Sequence, residues 1–249
     1  MATKDLTIIL VHGAWGDGSH WRGVIPTLTD AGYKVRSVQN PLTSLEDDIA
    51  KTTDIINAQE GKVLLVGHSY GGTVISGAGN HDKVAGLVFI AAFAPDKGDS
   101  LVGLLGRRPS SGGTSIYPDD KGFLWIKYDE FHQAFCQDYD EKESLIMSLS
   151  QRPIHGQCFG DMAGDPAWAV KPSWYQISDA DHMIPPETQR EMAERMQSKK
   201  TIHLDAGHAS LASHPSEVAT LILQAEKQFN NSNVSLSTGN GTFSLLLVR

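Results

Sequence analysis

The sequence predicts an α/β fold built on a mostly parallel central sheet with helices on both faces. Short, continuously apolar runs alternate with segments of helical composition, which is the pattern of parallel strands joined by crossover helices. The apolar runs lack polar alternation, so both faces of these strands are expected to be covered. The length of 249 residues suits one such domain. The predicted strands are 6–11, 33–38, 62–66, 84–91, 173–177 and 201–204.

Capping signals support the helices predicted between these strands. Ser44 precedes the acidic residues 46–48, and a hydroxyl cap with early carboxylates satisfies the free amides and the dipole of a helix start. Pro185 and Pro186 open a later helix, where a missing amide does no harm. The predicted helices are 21–30, 45–59, 73–79, 187–197 and 216–229.

The alternation of strands and helices stops from about Asp96 to Lys171. This stretch begins with a Gly- and Ser-rich run at 108–114 and continues with aromatic residues and a helical segment at 141–149. So long an interruption of a regular series is better explained by an inserted cap than by a structureless loop. We therefore predict an α/β core of residues 1–95 and 172–229, an inserted cap of residues 96–171 and a flexible tail of residues 230–249.

Charge and composition exclude several classes of protein. A formal net charge of −8 argues against binding to nucleic acid or to an anionic membrane, because both require a basic face. No secretion signal and no apolar run of membrane-spanning length is apparent, so a soluble cytoplasmic protein is expected. Cys136 and Cys158 stand in no metal-binding or redox spacing and are interpreted as reduced packing residues. A disulfide between them would require an oxidising compartment.

The strongest local signal is the segment 67–72, GHSYGG. It directly follows the apolar run KVLLV and precedes a predicted helix, which is the context that a G-x-S-x-G nucleophile turn requires. The sharp strand-to-helix turn would hold Ser69 in a strained conformation over the sheet edge. A serine hydroxyl is a weak nucleophile at neutral pH, so a base and a group that orients the base must accompany it.

Candidates for both groups follow in the expected order along the chain. Asp179 and Asp181 come just after the fifth predicted strand, where a carboxylate faces the crevice in which α/β sheets bind ligands. Both are candidates for the acid; Asp181 is preferred, with Asp179 interpreted as a turn or capping residue. His208 lies in a loop of small residues after the last strand, which suits an imidazole that must reach the serine. His203 and His214 are interpreted as packing or capping residues, and His182, the next candidate for the base, adjoins the proposed acid.

Acyl transfer also requires donors aimed at the developing oxyanion. The backbone N–H of Tyr70, directly after the nucleophile, is one candidate. The second is the N–H of Ala14 in the loop VHGAWG after the first strand, although this loop would also suit a plain turn. His12 is expected to order that loop by hydrogen bonding. Four aromatic residues are candidates to line the substrate pocket: Trp15, Tyr70, Trp125 and Phe131.

From residue 6 to about residue 228 the chain resembles the α/β-hydrolase superfamily, specifically the esterase-like group near the plant methyl-salicylate esterases and hydroxynitrile lyases. The resemblance lies in five blocks: LVHGAWGDGSHW, LVGHSYGG, AAFAPDKG, WYQISDADHMIPPETQREMAERM and DAGHASLASHPSEV. It implies an α/β-hydrolase fold with Ser69, Asp181 and His208 as catalytic triad and with Ala14 and Tyr70 as oxyanion donors. It also favours Asp181 over Asp179, because the family's acid comes about four residues before the proline found here at 185.

Departures from the family narrow the chemistry. Hydroxynitrile lyases have a lysine after the catalytic histidine, where Ala209 stands here, and a threonine in the first loop, where Gly13 and Ala14 stand. Cyanogenic lyase activity is therefore not expected. Relatives that dehalogenate or open epoxides use an aspartate in place of Ser69. The predicted function is that of a carboxylesterase-like serine hydrolase.

The predicted substrate is an ester of a small organic molecule, cleaved through an acyl-enzyme without a metal or an organic cofactor. Three rival chemistries use the same residues: lactone opening, a lyase step on a natural product and perhydrolysis. A fourth alternative, from a different class, is a ligand-binding receptor with weak turnover.

Overall fold

The computed structural model describes residues 6–237, with side chains up to residue 227. Its strands are β1 (Leu6–Val11), β2 (Lys34–Ser37), β3 (Lys62–His68), β4 (Val84–Ile90), β5 (Ile116–Pro118), β6 (Phe123–Ile126), β7 (Ile154–His155), β8 (Ser173–Ser178) and β9 (Lys200–Leu204). Its α-helices are α1 (Ile25–Asp30), α2 (Leu45–Asn57), α3 (Gly71–Ala78), α4 (Leu101–Arg107), α5 (Phe131–Phe135), α6 (Glu141–Leu149), α7 (Gln157–Gly160), α8 (Pro186–Arg195), α9 (Ser210–Ser213) and α10 (Pro215–Ser237). Short 3-10 helices are formed by Gly18–Trp21, Ser111–Ser115 and Ala167–Ala169.

Six strands form a parallel central sheet in the order β2-β1-β3-β4-β8-β9. Consecutive residues 8–11 of β1 and 63–68 of β3 are all buried, so both faces of the sheet centre are covered. This is the packing that their continuous apolar runs predict. The six predicted strands are all present, with ends within two residues of the prediction, and the predicted fold class is confirmed.

The capping signals act as expected. The Ser44 hydroxyl accepts a hydrogen bond from the Asp47 N–H at 3.1 Å, and α2 begins at the next residue. The first helix starts four residues later than predicted, because Gly18–Trp21 forms a separate 3-10 turn capped by Asp17. Helix α10 extends to Ser237, past the predicted end at 229. Residues 238–249 of the predicted tail lie outside the described residues.

Residues 96–171, here called the inserted segment, have regular structure of their own. They contain α4 to α7 and a three-stranded antiparallel sheet in the order β5-β6-β7. Three backbone hydrogen bonds among the described residues join the segment to the rest of the chain. They run from His155 N–H to Leu42 C=O at 2.9 Å, from Ala209 N–H to Phe135 C=O at 3.1 Å and from Gly112 N–H to His182 C=O at 2.7 Å. Its assignment as a separate cap domain stays a prediction.

The topology places the candidate residues at one edge of the sheet. The chain runs from β1 outward to β2 and then returns to β3 on the other side of β1, so the loops after β1 and β3 diverge and leave a crevice. The residues after β1, β3, β8 and β9 include 12–16, 69–70, 179–184 and 205–209, and all four groups follow carboxyl ends of the same parallel sheet. None of the described helices is both long and apolar enough to cross a bilayer.

Candidate active site

Ser69 lies in a strained turn between β3 and α3. Its φ angle is +55°, a left-handed conformation that costs energy for a residue with a side chain. The turn requires glycine on both sides of the serine. A Cβ atom on Gly67 would lie 2.6 Å from the Gly71 carbonyl oxygen, and one on Gly71 would lie 2.4 Å from the Val11 carbonyl oxygen. The G-x-S-x-G spacing is therefore explained by backbone contacts.

The side chains of Ser69, His208 and Asp181 form one hydrogen-bonded chain. His208 Nε2 lies 2.8 Å from Ser69 Oγ, and His208 Nδ1 lies 2.8 Å from Asp181 Oδ2. All three residues are buried. Because the carboxylate can only accept, His208 donates from Nδ1, which leaves the lone pair on Nε2 to accept a hydrogen bond from the Ser69 hydroxyl.

Asp181 is held by its own loop and by α8. Its Oδ1 accepts from the backbone N–H groups of Met183 and Ile184 at 2.7 and 2.9 Å. Its Oδ2 accepts from Gln189 Nε2 at 2.8 Å in addition to His208. Three donors other than His208 thus hold the carboxylate toward the imidazole. The Gln189 contact was not predicted from the sequence.

Asp179, the alternative candidate for the acid, points away from the site. Its carboxylate is about one third exposed and pairs with Arg190 at 3.0 Å and with His203 at 3.1 Å. The structure therefore brings Asp181 and not Asp179 to His208. His203 is correspondingly a surface partner of Asp179, on the strand β9 in which it was predicted to lie.

The two backbone donors proposed for the oxyanion are the N–H groups of Ala14 and Tyr70, and Tyr70 directly follows Ser69. Gly13, next to Ala14, approaches the serine so closely that a Cβ atom on it would lie 2.6 Å from Ser69 Cβ and 3.1 Å from Ser69 Oγ. Among the described residues, neither the Ala14 N–H nor the Tyr70 N–H donates a backbone hydrogen bond to a protein acceptor. Both N–H groups are thus left for a ligand oxygen, as the proposed oxyanion donors must be.

His12 fixes the first of these loops. Its Nδ1 donates to the Gly13 carbonyl at 2.8 Å, and its Nε2 accepts from the Asn40 N–H at 3.0 Å. The Asn40 side chain in turn donates to the His12 carbonyl. Burial lowers the pKa of His12 to about 4, so the ring is neutral at pH 7 and can accept at Nε2. The expected ordering role of His12 agrees with these contacts.

A cavity of about 560 Å³ opens beside Ser69 and His208. Among the residues that the structure describes, no Asp, Glu, Lys or Arg side chain lines it, and the polar side chains besides Ser69 and His208 are Ser110 and Thr114. Its apolar lining comes from the α/β core (Trp15, Phe93, Met183, Ile184) and from the inserted segment (Val102, Leu105, Pro109, Ile116, Leu124, Phe159). The cavity is therefore suited to an uncharged, largely apolar molecule.

One of the four aromatic residues expected to line the pocket does so. Trp15 lies in the cavity wall, held by a hydrogen bond from its Nε1 to the Leu124 carbonyl at 2.9 Å. Trp125 lies outside the lining, because its neighbour Leu124 takes the cavity side of β6 and alternate residues of a strand face opposite ways. Its Nε1 donates to Asp119 instead.

The other two aromatic residues lie behind the cavity wall. Phe131 is fully buried and packs on Phe135 with ring centroids 5.0 Å apart. Phe135 in turn makes a T-shaped contact with the ring of His208. Phe131 is thus separated from the cavity by a layer of packing. The Tyr70 ring is also fully buried, and its hydroxyl donates to Asp48 Oδ2 at 2.6 Å. Neither Phe131 nor Tyr70 lines the cavity, so the expectation that these two side chains line the substrate pocket is corrected.

Two further residues at the site were missed by sequence reasoning. Asp48 was interpreted as one of several carboxylates at the start of α2, yet it is fully buried. The signal was available, since Leu45, Asp48, Thr52 and Ile56 recur at helical spacing and share the buried face of α2. His68 donates from Nε2 to the His208 carbonyl at 2.8 Å, a contact that only the folded chain reveals.

Comparison with known proteins agrees with this geometry. A profile described as "Alpha/beta hydrolase family" matches residues 8–221. The chain belongs to the alpha/beta hydrolase family. The predicted resemblance to the α/β-hydrolase superfamily is thereby confirmed.

Several named relatives are esterases or hydrolases, and these names confirm the predicted class of carboxylesterase-like hydrolase. A pyrethroid hydrolase of Sphingobium wenxiniae is 28% identical over 244 residues, which cover 86% of this chain and 85% of the relative. Methylesterase 1 of Arabidopsis thaliana is 24% identical over 253 residues, which cover 89% of this chain and 96% of the relative. A carbendazim-hydrolyzing esterase of Nocardioides sp. is 38% identical over 111 residues, and that match spans 39% of this chain and about half (46%) of the relative.

Solved structures show the same fold. A pyrethroid hydrolase from Sphingobium faniae superposes with a TM-score of 0.78 at 25% identity, covering 88% of this chain and 96% of that structure. Polyneuridine aldehyde esterase superposes with a TM-score of 0.77 at 19% identity, covering 90% of this chain and 100% of that structure. This second similarity concerns the fold alone.

Proposed function

We propose that this protein is a serine esterase that cleaves uncharged, apolar esters of small organic molecules through an acyl-enzyme. The observation that carries the proposal is the continuous hydrogen-bonded chain from Ser69 Oγ through His208 to Asp181, with 2.8 Å at each step. An ester is favoured as the substrate because named relatives include methylesterases and a pyrethroid hydrolase.

In the proposed first step Ser69 Oγ attacks the ester carbonyl while its proton passes to His208 Nε2. The carbonyl oxygen becomes an oxyanion, which the N–H groups of Ala14 and Tyr70 would stabilise. The tetrahedral intermediate then collapses, the bond to the alcohol breaks, and His208 returns the proton to the leaving oxygen. Asp181 holds the imidazole in orientation and stabilises its positive charge throughout.

In the second step water replaces the alcohol. His208 takes one proton from the water as its oxygen attacks the acyl carbon, and the same two N–H groups would hold the new oxyanion. Breaking the bond to Ser69 releases the carboxylic acid and returns the proton to Ser69 Oγ. No metal or organic cofactor takes part in this sequence.

Substrate polarity is proposed from the cavity. A carboxylate or ammonium group placed among its apolar walls would lose its hydration without gaining a charged partner. An uncharged ester loses much less on entry, and its apolar groups gain by leaving water.

The proposal is tested with Ser69→Ala. Hydrolysis of p-nitrophenyl butyrate is expected to fall by at least about 100-fold with the fold intact, because the nucleophile is removed. A fluorophosphonate probe should label the unchanged protein and not the variant. Ser76→Ala is the matched control, since Ser76 is a buried serine of α3 whose hydroxyl only donates to the Gly72 carbonyl. Undiminished turnover by Ser69→Ala would reject the proposal.

A further inference from the structure

A buried carboxylate lies directly behind the nucleophile turn. Asp48, on α2, has no exposed surface. Its Oδ2 accepts from the Tyr70 hydroxyl at 2.6 Å, and its Oδ1 accepts from the Leu42 N–H at 2.8 Å. Both donors are neutral groups. Burial raises the pKa of Asp48 to about 6, which reflects the cost of keeping this carboxylate charged inside the protein.

Packing of α2 does not explain why a carboxylate stands at this position. Leu45, Thr52 and Ile56 bury the same face of the helix, and an apolar residue at 48 would continue it without a desolvation cost. The distinctive contact that Asp48 makes is the one with Tyr70. A buried ionisable group that is expensive to keep is a candidate for a role at a functional site.

Tyr70 joins the nucleophile turn to the cavity wall. It directly follows Ser69, and its N–H is one of the two donors proposed for the oxyanion. Its buried ring stacks on Phe159, with centroids 6.5 Å apart and planes 12° apart. Phe159 lines the cavity and also contacts Trp15, with centroids 6.0 Å apart. A change in the tilt of the Tyr70 ring would therefore affect both the turn and the wall.

The second hydrogen bond of Asp48 joins it to the inserted segment. Leu42 has a φ angle of +62°, so its backbone is strained and requires support. Its N–H donates to Asp48, while its carbonyl accepts from the His155 N–H at 2.9 Å. One carboxylate thus holds both the residue after the nucleophile and the loop to which the inserted segment attaches.

We propose that Asp48 is a positioning residue whose hydrogen bond from the Tyr70 hydroxyl holds the Tyr70 N–H in the direction that stabilises the oxyanion. The inference rests on the proposed esterase function. It assigns Asp48 no contact with substrate. Because the oxyanion forms only after attack, loss of this alignment should lower kcat and leave KM nearly unchanged.

The experiment compares Asp48→Asn, Tyr70→Phe and the double variant with the unchanged protein. Each single variant is expected to lower kcat for p-nitrophenyl butyrate about tenfold, a fraction of the effect of deleting an oxyanion donor. KM should stay within about twofold. Binding of an alkyl trifluoromethyl ketone, whose serine adduct carries an oxyanion, should weaken by the same factor as kcat. The double variant should be no worse than Asp48→Asn alone, because Tyr70→Phe then removes a hydrogen bond that Asp48→Asn has already disrupted.

Thr52→Val is the matched control. Thr52 is fully buried one turn further along the same face of α2, and its Oγ1 is a buried atom without a hydrogen-bond partner among the described residues. The kcat of Thr52→Val and its affinity for the trifluoromethyl ketone should equal those of the unchanged protein. Should Asp48→Asn not fold, Tyr70→Phe removes the same hydrogen bond and keeps the ring.

Three results would overturn the inference: folded Asp48→Asn and Tyr70→Phe that keep kcat and ketone affinity within twofold, equal losses in Thr52→Val, or additive losses in the double variant. Failure of the esterase proposal would look different. In that case Ser69→Ala would remain active, whereas an inactive Ser69→Ala beside unaffected Asp48→Asn and Tyr70→Phe rejects the positioning role alone.

Discussion

The imidazole of His68 donates from Nε2 to the backbone carbonyl of His208 across 2.8 Å, and the two rings lie 4.9 Å apart. The residue before the proposed nucleophile therefore holds the backbone of the proposed base. Burial lowers the pKa of His68 well below its ordinary value, so the ring stays neutral. A neutral ring can sit beside His208 without repelling the positive charge that the mechanism places there.

Replacing His68 should show how much this hydrogen bond contributes to activity. His68→Phe keeps a ring of similar size but has no donor, so the His208 loop loses an anchor and kcat/KM for p-nitrophenyl butyrate should fall about tenfold or more. His68→Gln offers an amide N–H at a similar reach and should recover part of the loss. Steady-state kinetics on the two folded variants measures the difference. Equal activity in His68→Phe and the unchanged protein would contradict the anchoring role.

The two aspartates that the sequence left open should behave very differently. Asp181→Asn replaces a carboxylate that accepts from His208, so the imidazole can adopt the wrong tautomer, and kcat should fall by about 10³-fold or more. Asp179→Asn is the matched control on the same loop. It breaks only half-exposed ion pairs with Arg190 and His203, so kcat should stay within about twofold. A larger loss in Asp179→Asn than in Asp181→Asn would reject the assignment.

Much of the fold follows from local sequence. Strands β1 and β3 are continuous apolar runs because both faces of each strand are covered, and that property is visible without tertiary information. Ser44 marks the start of α2 correctly, since a cap acts within one turn. The 3-10 turn at Gly18–Trp21 was merged into the first helix, because short turns and helices share composition.

The site was predictable only as far as its contacts are local or belong to a known motif. The G-x-S-x-G turn around Ser69 depends on five consecutive residues, and these residues are enough to predict it. Whether Leu124 or Trp125 faces the cavity depends on how the small antiparallel sheet docks, which no local pattern states. The same holds for Gln189, whose contact with Asp181 depends on the path of the loop before α8.

Paired substrates test the polarity of the cavity. Methyl hexanoate and monomethyl adipate have six-carbon acyl chains, but the second carries a carboxylate at the far end. Since no Asp, Glu, Lys or Arg side chain in the described part of the chain lines the cavity, the adipate should be cleaved with kcat/KM lower by about 100-fold or more. Titration of the released acid measures both rates.

A charge placed in the cavity wall supplies the reciprocal test. Ile116 lines the cavity and is only partly buried, so Ile116→Lys can carry its ammonium group without complete desolvation. This variant should reduce the difference in kcat/KM between methyl hexanoate and monomethyl adipate. Equal rates on both substrates with the unchanged protein would contradict an apolar, uncharged substrate class.

Buried histidines should make the protein sensitive to acid. Burial lowers the pKa of His20 to about 4 from 6.5, so between these values the unfolded chain binds a proton that the folded protein does not. The stabilisation is complete above pH 6.5 and is lost as the pH falls toward 4. His12 and His68 act in the same direction, whereas Asp48, with its raised pKa, becomes less unfavourable as the pH falls. Three histidines thus lower the free energy of unfolding as the pH falls, and one aspartate raises it. The net effect should be a loss of stability in acid.

His20→Phe isolates one of these contributions. His20 is buried against Phe135, with ring centroids 6.1 Å apart, and a phenyl ring can occupy the same space without binding a proton. Between pH 7.5 and pH 5 a pKa near 4 implies that His20 alone removes about 2 kcal/mol from the free energy of unfolding. Urea unfolding at the two pH values should therefore show that His20→Phe loses about 2 kcal/mol less than the unchanged protein. An identical loss in both proteins would mean that His20 takes up a proton in the folded state as readily as in the unfolded chain.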